Sequence, residues 1–73
     1  MYRAHFMEFK YEDRDKVFAI FGKYLNLGWF DDFRIYEDTV QGVKRLRLKL
    51  HPYVSDDLKI MEDDFRKAGI ELF

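Results

Sequence analysis

No cysteine occurs among the 73 residues, which excludes a disulfide framework, a thiolate metal site and a cysteine nucleophile. That usage fits a reducing compartment, and the expected location is cytoplasmic. Proline occurs once and glycine four times, so there is no proline- or glycine-rich linker to divide the chain. No apolar run approaches the roughly 18 residues of a membrane span, and the opening Met1, Tyr2, Arg3, Ala4, His5, Phe6 does not resemble a signal peptide. An excess of one charge is also missing: 13 Lys and Arg against 14 Asp and Glu leave a net charge of −1, unlike the basic balance usual in nucleic-acid binders.

What is present is aromatic. Eight Phe, five Tyr and one Trp make 19% of the chain, and apolar residues make 48%. A core this short closes over about 15–20 side chains. Some apolar residues therefore lie at the surface, and a contiguous exposed aromatic patch would mark an interface. Residues 1–73 are expected to form one small domain.

Residues 2–10 alternate roughly and predict a strand. Glu12 or Asp13 can cap a helix running to about Leu27, whose apolar stripe is Val17, Ile20, Phe21, Tyr24 and Leu25. Gly28 is placed to end it. Residues 29–37 predict a second strand with Phe33 and Ile35 on one face and Phe30, Arg34 and Tyr36 on the other. A turn over residues 38–42 follows. Residues 44–51 alternate Leu46, Leu48 and Leu50 with Arg45, Arg47, Lys49 and His51, which predicts a half-buried strand with a basic outer face. Pro52 ends it. Ser55 or Asp56 starts a second helix with the stripe Leu58, Met61, Phe65 and Ala68, Gly69 closes that helix, and residues 70–73 predict a short last strand. The order is βαββαβ, an α+β ferredoxin-like fold: a four-stranded antiparallel sheet with two helices on one face and the first and third strands central.

The open face of that sheet would carry Arg34, Tyr36, Arg45, Arg47 and Lys49, with His51. The register of the first strand is open. With Ala4 and Phe6 inward, Arg3, His5, Met7 and Phe9 face out; with Met7 and Phe9 inward, Phe6, Glu8 and Lys10 face out and Glu8 can neutralise an arginine. A basic open sheet with aromatics resembles RNA-recognition domains in architecture, although their third strand presents aromatics where this one presents Arg45, Arg47 and Lys49.

Most of the 14 acidic residues are clustered, at Glu12 and Asp13, Asp31 and Asp32, Glu37 and Asp38, Asp56 and Asp57, and Glu62, Asp63 and Asp64. Asp13 and Asp56 are expected to be helix caps. Glu62, Asp63 and Asp64 lie in the second half of a helix, where negative charge opposes the macrodipole, so they call for a solubility role or a partner.

Catalytic signals are poor. Val40, Gln41, Gly42 and Val43, with Arg45 or Arg47 nearby, resemble part of the acylphosphatase signature, whose family is also ferredoxin-like. In that family the motif follows the first strand and opens a helix; here it joins the second and third strands, so Gln41 and Gly42 are hairpin turn residues. His5 and His51 fall on adjacent strands without a third ligand, so no metal or cofactor is expected.

The expected function is therefore that of a non-enzymatic, stand-alone protein-interaction module, an inhibitor or adaptor acting through Asp31, Asp32, Glu62, Asp63 and Asp64 on another protein. A chain starting at its first strand and ending in its last is expected to have no room for a separate catalytic or targeting module. Phage-encoded blockers of nucleic-acid enzymes, such as anti-CRISPR proteins, are the analogous class, and no motif assigns it. The alternative is single-stranded RNA or DNA binding through Arg34, Tyr36, Arg45, Arg47 and Lys49. A homodimer through the sheet face would hide the basic strand and undercut that alternative.

Overall fold

The computed structural model describes residues 4–73. It is an α+β arrangement of a three-stranded antiparallel sheet and two helices: β1 (His5–Lys10), a 3-10 turn (Tyr11–Asp13), α1 (Arg14–Asn26), β2 (Phe30–Val40), β3 (Val43–Pro52) and α2 (Asp57–Lys67), with strand order β1-β3-β2. The expected starts of the first strand at Tyr2 and of its outward set at Arg3 lie outside the described residues. No described helix is long and apolar enough to cross a membrane.

β3 explains the layering. Leu46, Leu48 and Leu50 are buried, and the residues between them face away from the helices. Opposite Leu48 and Leu46 lie Met7 and Phe9 of β1, both buried. The first-strand register is thus the one that turns Phe6, Glu8 and Lys10 outward. Val17, Phe21 and Tyr24 of α1 and Leu58, Met61 and Phe65 of α2 close over the leucines, with Ile70 completing the core. Phe9 and Phe65 meet edge to face, their ring centroids 4.8 Å apart. Ile20 and Leu25 of the expected stripe are partly buried against this core, whereas Ala68 is exposed.

Both helices stop at glycine for one reason. The Gly28 N–H donates to the Leu25 carbonyl and the Trp29 N–H to that of Tyr24. The Gly69 N–H donates to Arg66 and the Ile70 N–H to Phe65. These are paired Schellman bonds, and they need the left-handed φ of +73° and +77° found at Gly28 and Gly69. Each motif then drops its next residue onto the last turn: Trp29 lies 4.6 Å from the Tyr24 ring, and Ile70 is buried. At the helix starts, Asp13 and Asp56 occupy the cap positions, but neither makes the side-chain bond that the sequence pattern suggests.

Several expectations are corrected. The four-stranded sheet is not formed: Ile70 is buried in the core, and the last residues meet β1 through an isolated Phe9–Leu72 bridge, a Phe73 N–H bond to the Glu8 carbonyl and a Lys10–Glu71 ion pair. β3 alone is central, with β1 on its flank rather than inside the sheet. β2 runs on through Asp38, Thr39 and Val40, leaving only Gln41 and Gly42 as the turn. Phe30 does not share a face with Arg34 and Tyr36. A β-bulge between Phe30 and Asp32 inserts one residue, which reverses the alternation and turns Phe30 onto Phe21, 5.5 Å between centroids.

Candidate functional site

The face of the sheet away from the helices is built from three cross-strand rows. Phe6, Lys49 and Arg34 form one row; Glu8, Arg47 and Tyr36 the next; Lys10, Arg45 and Asp38 the third. Arg34, Tyr36, Arg45, Arg47 and Lys49, the residues expected on this face, do share it. His51 lies there too, opposite Asp32, whereas His5 opposes Leu50 on the helix side, so the two histidines are on different faces. Among the described residues no group of three or more His, Asp or Glu is arranged to hold a metal ion.

Charge on this face is compensated in part from within. Glu8 lies between two arginines, its Oε2 3.1 Å from Arg45 Nη1 and its Oε1 3.5 Å from Arg47 Nε. All three side chains are partly buried, so this carboxylate holds guanidinium groups that water solvates poorly. The Nε atoms of Arg45 and Arg47 are buried with no hydrogen-bond partner among the described residues. Among the described residues Arg34 and Lys49 make no ion pair, and they are the uncompensated cations of the face.

Aromatic rings flank these charges. The Arg47 guanidinium carbon stands 4.3 Å from the Phe6 ring centroid, and that of Arg45 4.1 Å from the Phe73 centroid. Phe6 is 51% exposed, Phe73 54% and Tyr36 39%. Phe6, Tyr36, Glu37, Asp38, Arg47 and Lys49 line a shallow hollow of about 320 Å³. At the hairpin end, Glu37 accepts from Lys44 and from the Tyr11 hydroxyl, both at 3.1 Å. Those bonds hold the Glu37 carboxyl below the usual range and raise Lys44.

The acidic residues are placed differently. Asp64 accepts hydrogen bonds from the Tyr24 hydroxyl and from Lys23 Nζ, tying α2 to α1. Glu62 and Asp63 lie 3.8 and 3.7 Å from the Arg66 guanidinium, one turn on. Asp31 is the inserted residue of the bulge and accepts from the Tyr53 hydroxyl at 3.3 Å; Asp32 accepts the Phe33 N–H at 2.8 Å. Among the described residues no hydrogen bond or ion pair joins Asp31 or Asp32 to the three acids on α2.

Phe6 and Phe73 are the surface residues that the sequence pattern does not single out. The one signal for Phe6 is that Glu8, two residues on, satisfies Arg47 only in the register that turns Phe6 outward. Phe73 carries no such signal, because it reaches this face through the Gly69 turn. In comparisons with models of protein families, with curated proteins and with solved structures, the chain matches none.

Proposed function

We propose that this chain is a non-enzymatic protein-interaction module, of adaptor or inhibitor type, whose contact surface is the open sheet face. The observation that carries this reading is the set of exposed rings, Phe6, Tyr36 and Phe73, interleaved with Arg45 and Arg47, which share the carboxylate of Glu8. Aromatic and arginine side chains are the usual anchors of protein interfaces. A phosphate backbone would instead meet the Glu8 and Asp38 carboxylates on either side of the β3 cations. The acids first expected to make the contact, Asp31, Asp32, Glu62, Asp63 and Asp64, all have partners within the chain, which argues for the sheet rather than the helix surface. We read the fold in the same way as ferredoxin-like, a reading supported by the order β1-β3-β2 and the Leu72 bridge beyond β1.

A second reading, single-stranded RNA or DNA binding, draws support from the clustering of Arg34, Tyr36, Arg45, Arg47 and Lys49 on one face beside stacking-competent rings. Fluorescence anisotropy of labelled single strands at low and physiological salt separates the two. The protein reading expects no saturation at low salt, with weak anion binding emerging in Glu8→Gln. Tight, salt-sensitive binding lost in Arg45→Glu would replace it with the nucleic-acid reading. With a partner in hand, Phe6→Ala and Tyr36→Ala are expected to lose it and Glu62→Lys with Asp63→Lys to keep it; the reverse pattern would return the contact to the acidic helix.

A further inference from the structure

The two flanks of the sheet are treated unequally. The outer side of β1 meets Leu72 and Phe73, whereas β2, eleven residues long, pairs only with β3 among the described residues. Long bare edges are templates for another strand. The hairpin sets which groups face outward: Val40 pairs with Val43 across the two-residue turn, so the even positions of β2 bond to β3 and the odd ones point away. The Phe33 and Thr39 N–H groups accordingly go to the side chains of Asp32 and Asp38, at 2.8 and 2.9 Å, and the alternation turns Ile35 and Glu37 outward as well. Phe33 and Ile35 lie on the helix side yet are 39% and 43% exposed, although the Phe21 ring of α1 reaches Phe33 at 5.4 Å between centroids.

We infer that the β2 edge pairs antiparallel with β2 of a second copy of this chain, centred on Tyr36, giving a continuous six-stranded sheet. Charge complementarity selects the register. Outward odd residues must oppose outward odd residues, which leaves only a few two-fold alignments. Centring on Arg34 opposes two arginines, centring on Ile35 opposes Asp32 to Asp38, and centring on Glu37 opposes two glutamates. Centring on Tyr36 opposes Arg34 to Asp38 of the second copy, twice, with the Tyr36 rings side by side on the open face. In that alignment Ile35 bonds across to Glu37 and Phe33 to Thr39. The second copy's backbone takes over the Phe33 and Thr39 N–H groups, which frees Asp38 for Arg34, a cation with no ion pair among the described residues. The open faces of both copies become one surface with two sets of anchors.

Because the chain has no cysteine, introduced thiols report position without background. Tyr36→Cys is expected to cross-link, since non-hydrogen-bonded antiparallel neighbours stand about 4.5 Å apart at Cα, within disulfide reach. Arg34→Cys, roughly four residues from its own copy across the two-fold (~13 Å), is expected not to. Sedimentation equilibrium of the unmodified chain is expected to give twice the chain mass at high concentration. Arg34→Asp or Asp38→Arg alone should weaken the dimer about tenfold or more, and the double reversal should restore it. Ile35→Pro, which removes no bond to β3, should stay folded by circular dichroism and be monomeric. A chain that is monomeric up to about 1 mM would overturn the inference. So would cross-linking at both positions alike, or a dimer indifferent to charge reversal. None of these measurements needs the partner of the proposed function, so the two readings fail separately.

Discussion

At the residue scale, two side chains carry more than their surroundings. Tyr24 is buried on α1 and donates to Asp64 on α2, so its hydroxyl closes the helix pair. Burial, then the Asp64 bond, push its pKa up from 10.0 to about 12. The folded state therefore holds this proton after the unfolded chain has released its own. The stability it contributes is complete below pH 10 and is lost as pH rises through about 12. Asp64 runs the other way: the Tyr24 bond, then Lys23, lower its pKa, so its contribution is present above pH 3.8 and fades as pH falls below that. Tyr24→Phe should cost about 1.5–3 kcal/mol at neutral pH and flatten the alkaline limb, measured by urea unfolding between pH 7 and 12. Glu8 is the second. Replacing it by Gln leaves Arg45 and Arg47 side by side without their carboxylate, and the expected loss is about 1–3 kcal/mol in the same assay.

At the element scale, α1 contains a removable weakness. Gly22 sits inside this helix, and a Cβ built there meets nothing within 4 Å. Gly22→Ala should raise stability by about 0.5–1 kcal/mol, seen as a higher denaturation midpoint with unchanged slope. Gly28→Ala makes the control: the space is as open, but the +73° φ penalises any Cβ, and about 1 kcal/mol should be lost. The hairpin between β2 and β3 shows the same physics, with Gln41 held at φ +52° where Asn or Gly would rest more easily.

For the whole molecule, the decisive fact is how few side chains make the core. Among the described residues twelve are buried hydrophobics and no polar or charged residue is buried. The Phe65 ring is fully buried and packs on Phe9 of the strand beneath it, so Phe65→Ala should remove about 3–5 kcal/mol. That matches what a core of this size supplies, and the variant should be unfolded by circular dichroism at 25 °C. Self-association would add to the folded state by mass action, so the thermal midpoint of the unmodified chain should rise with concentration and that of Arg34→Asp should not.

The sequence by itself determined the elements whose signal is local. Leucine alternation in β3, the stripe of Val17, Phe21 and Tyr24, and glycine after each helix are set by backbone periods and by the steric freedom of one residue type. It also determined that the arginines of β3 share a face, because alternation cannot place them otherwise. Tertiary structure decided what depends on residues distant in the chain. The β1 register was ambiguous because both parities carry apolar residues, and it was resolved by Met7 and Phe9 meeting the core and Glu8 meeting two arginines. Phe30 changed faces because one inserted residue reverses a period of two, and nothing in the local pattern marks the insertion. The expected last strand is not formed: Ile70 is buried in the core and Leu72 meets β1 as an isolated bridge. The acids on α2 found Tyr24, Lys23 and Arg66, two of them forty residues away, so a cluster that looked like a partner's binding site in one dimension is engaged within the fold in three.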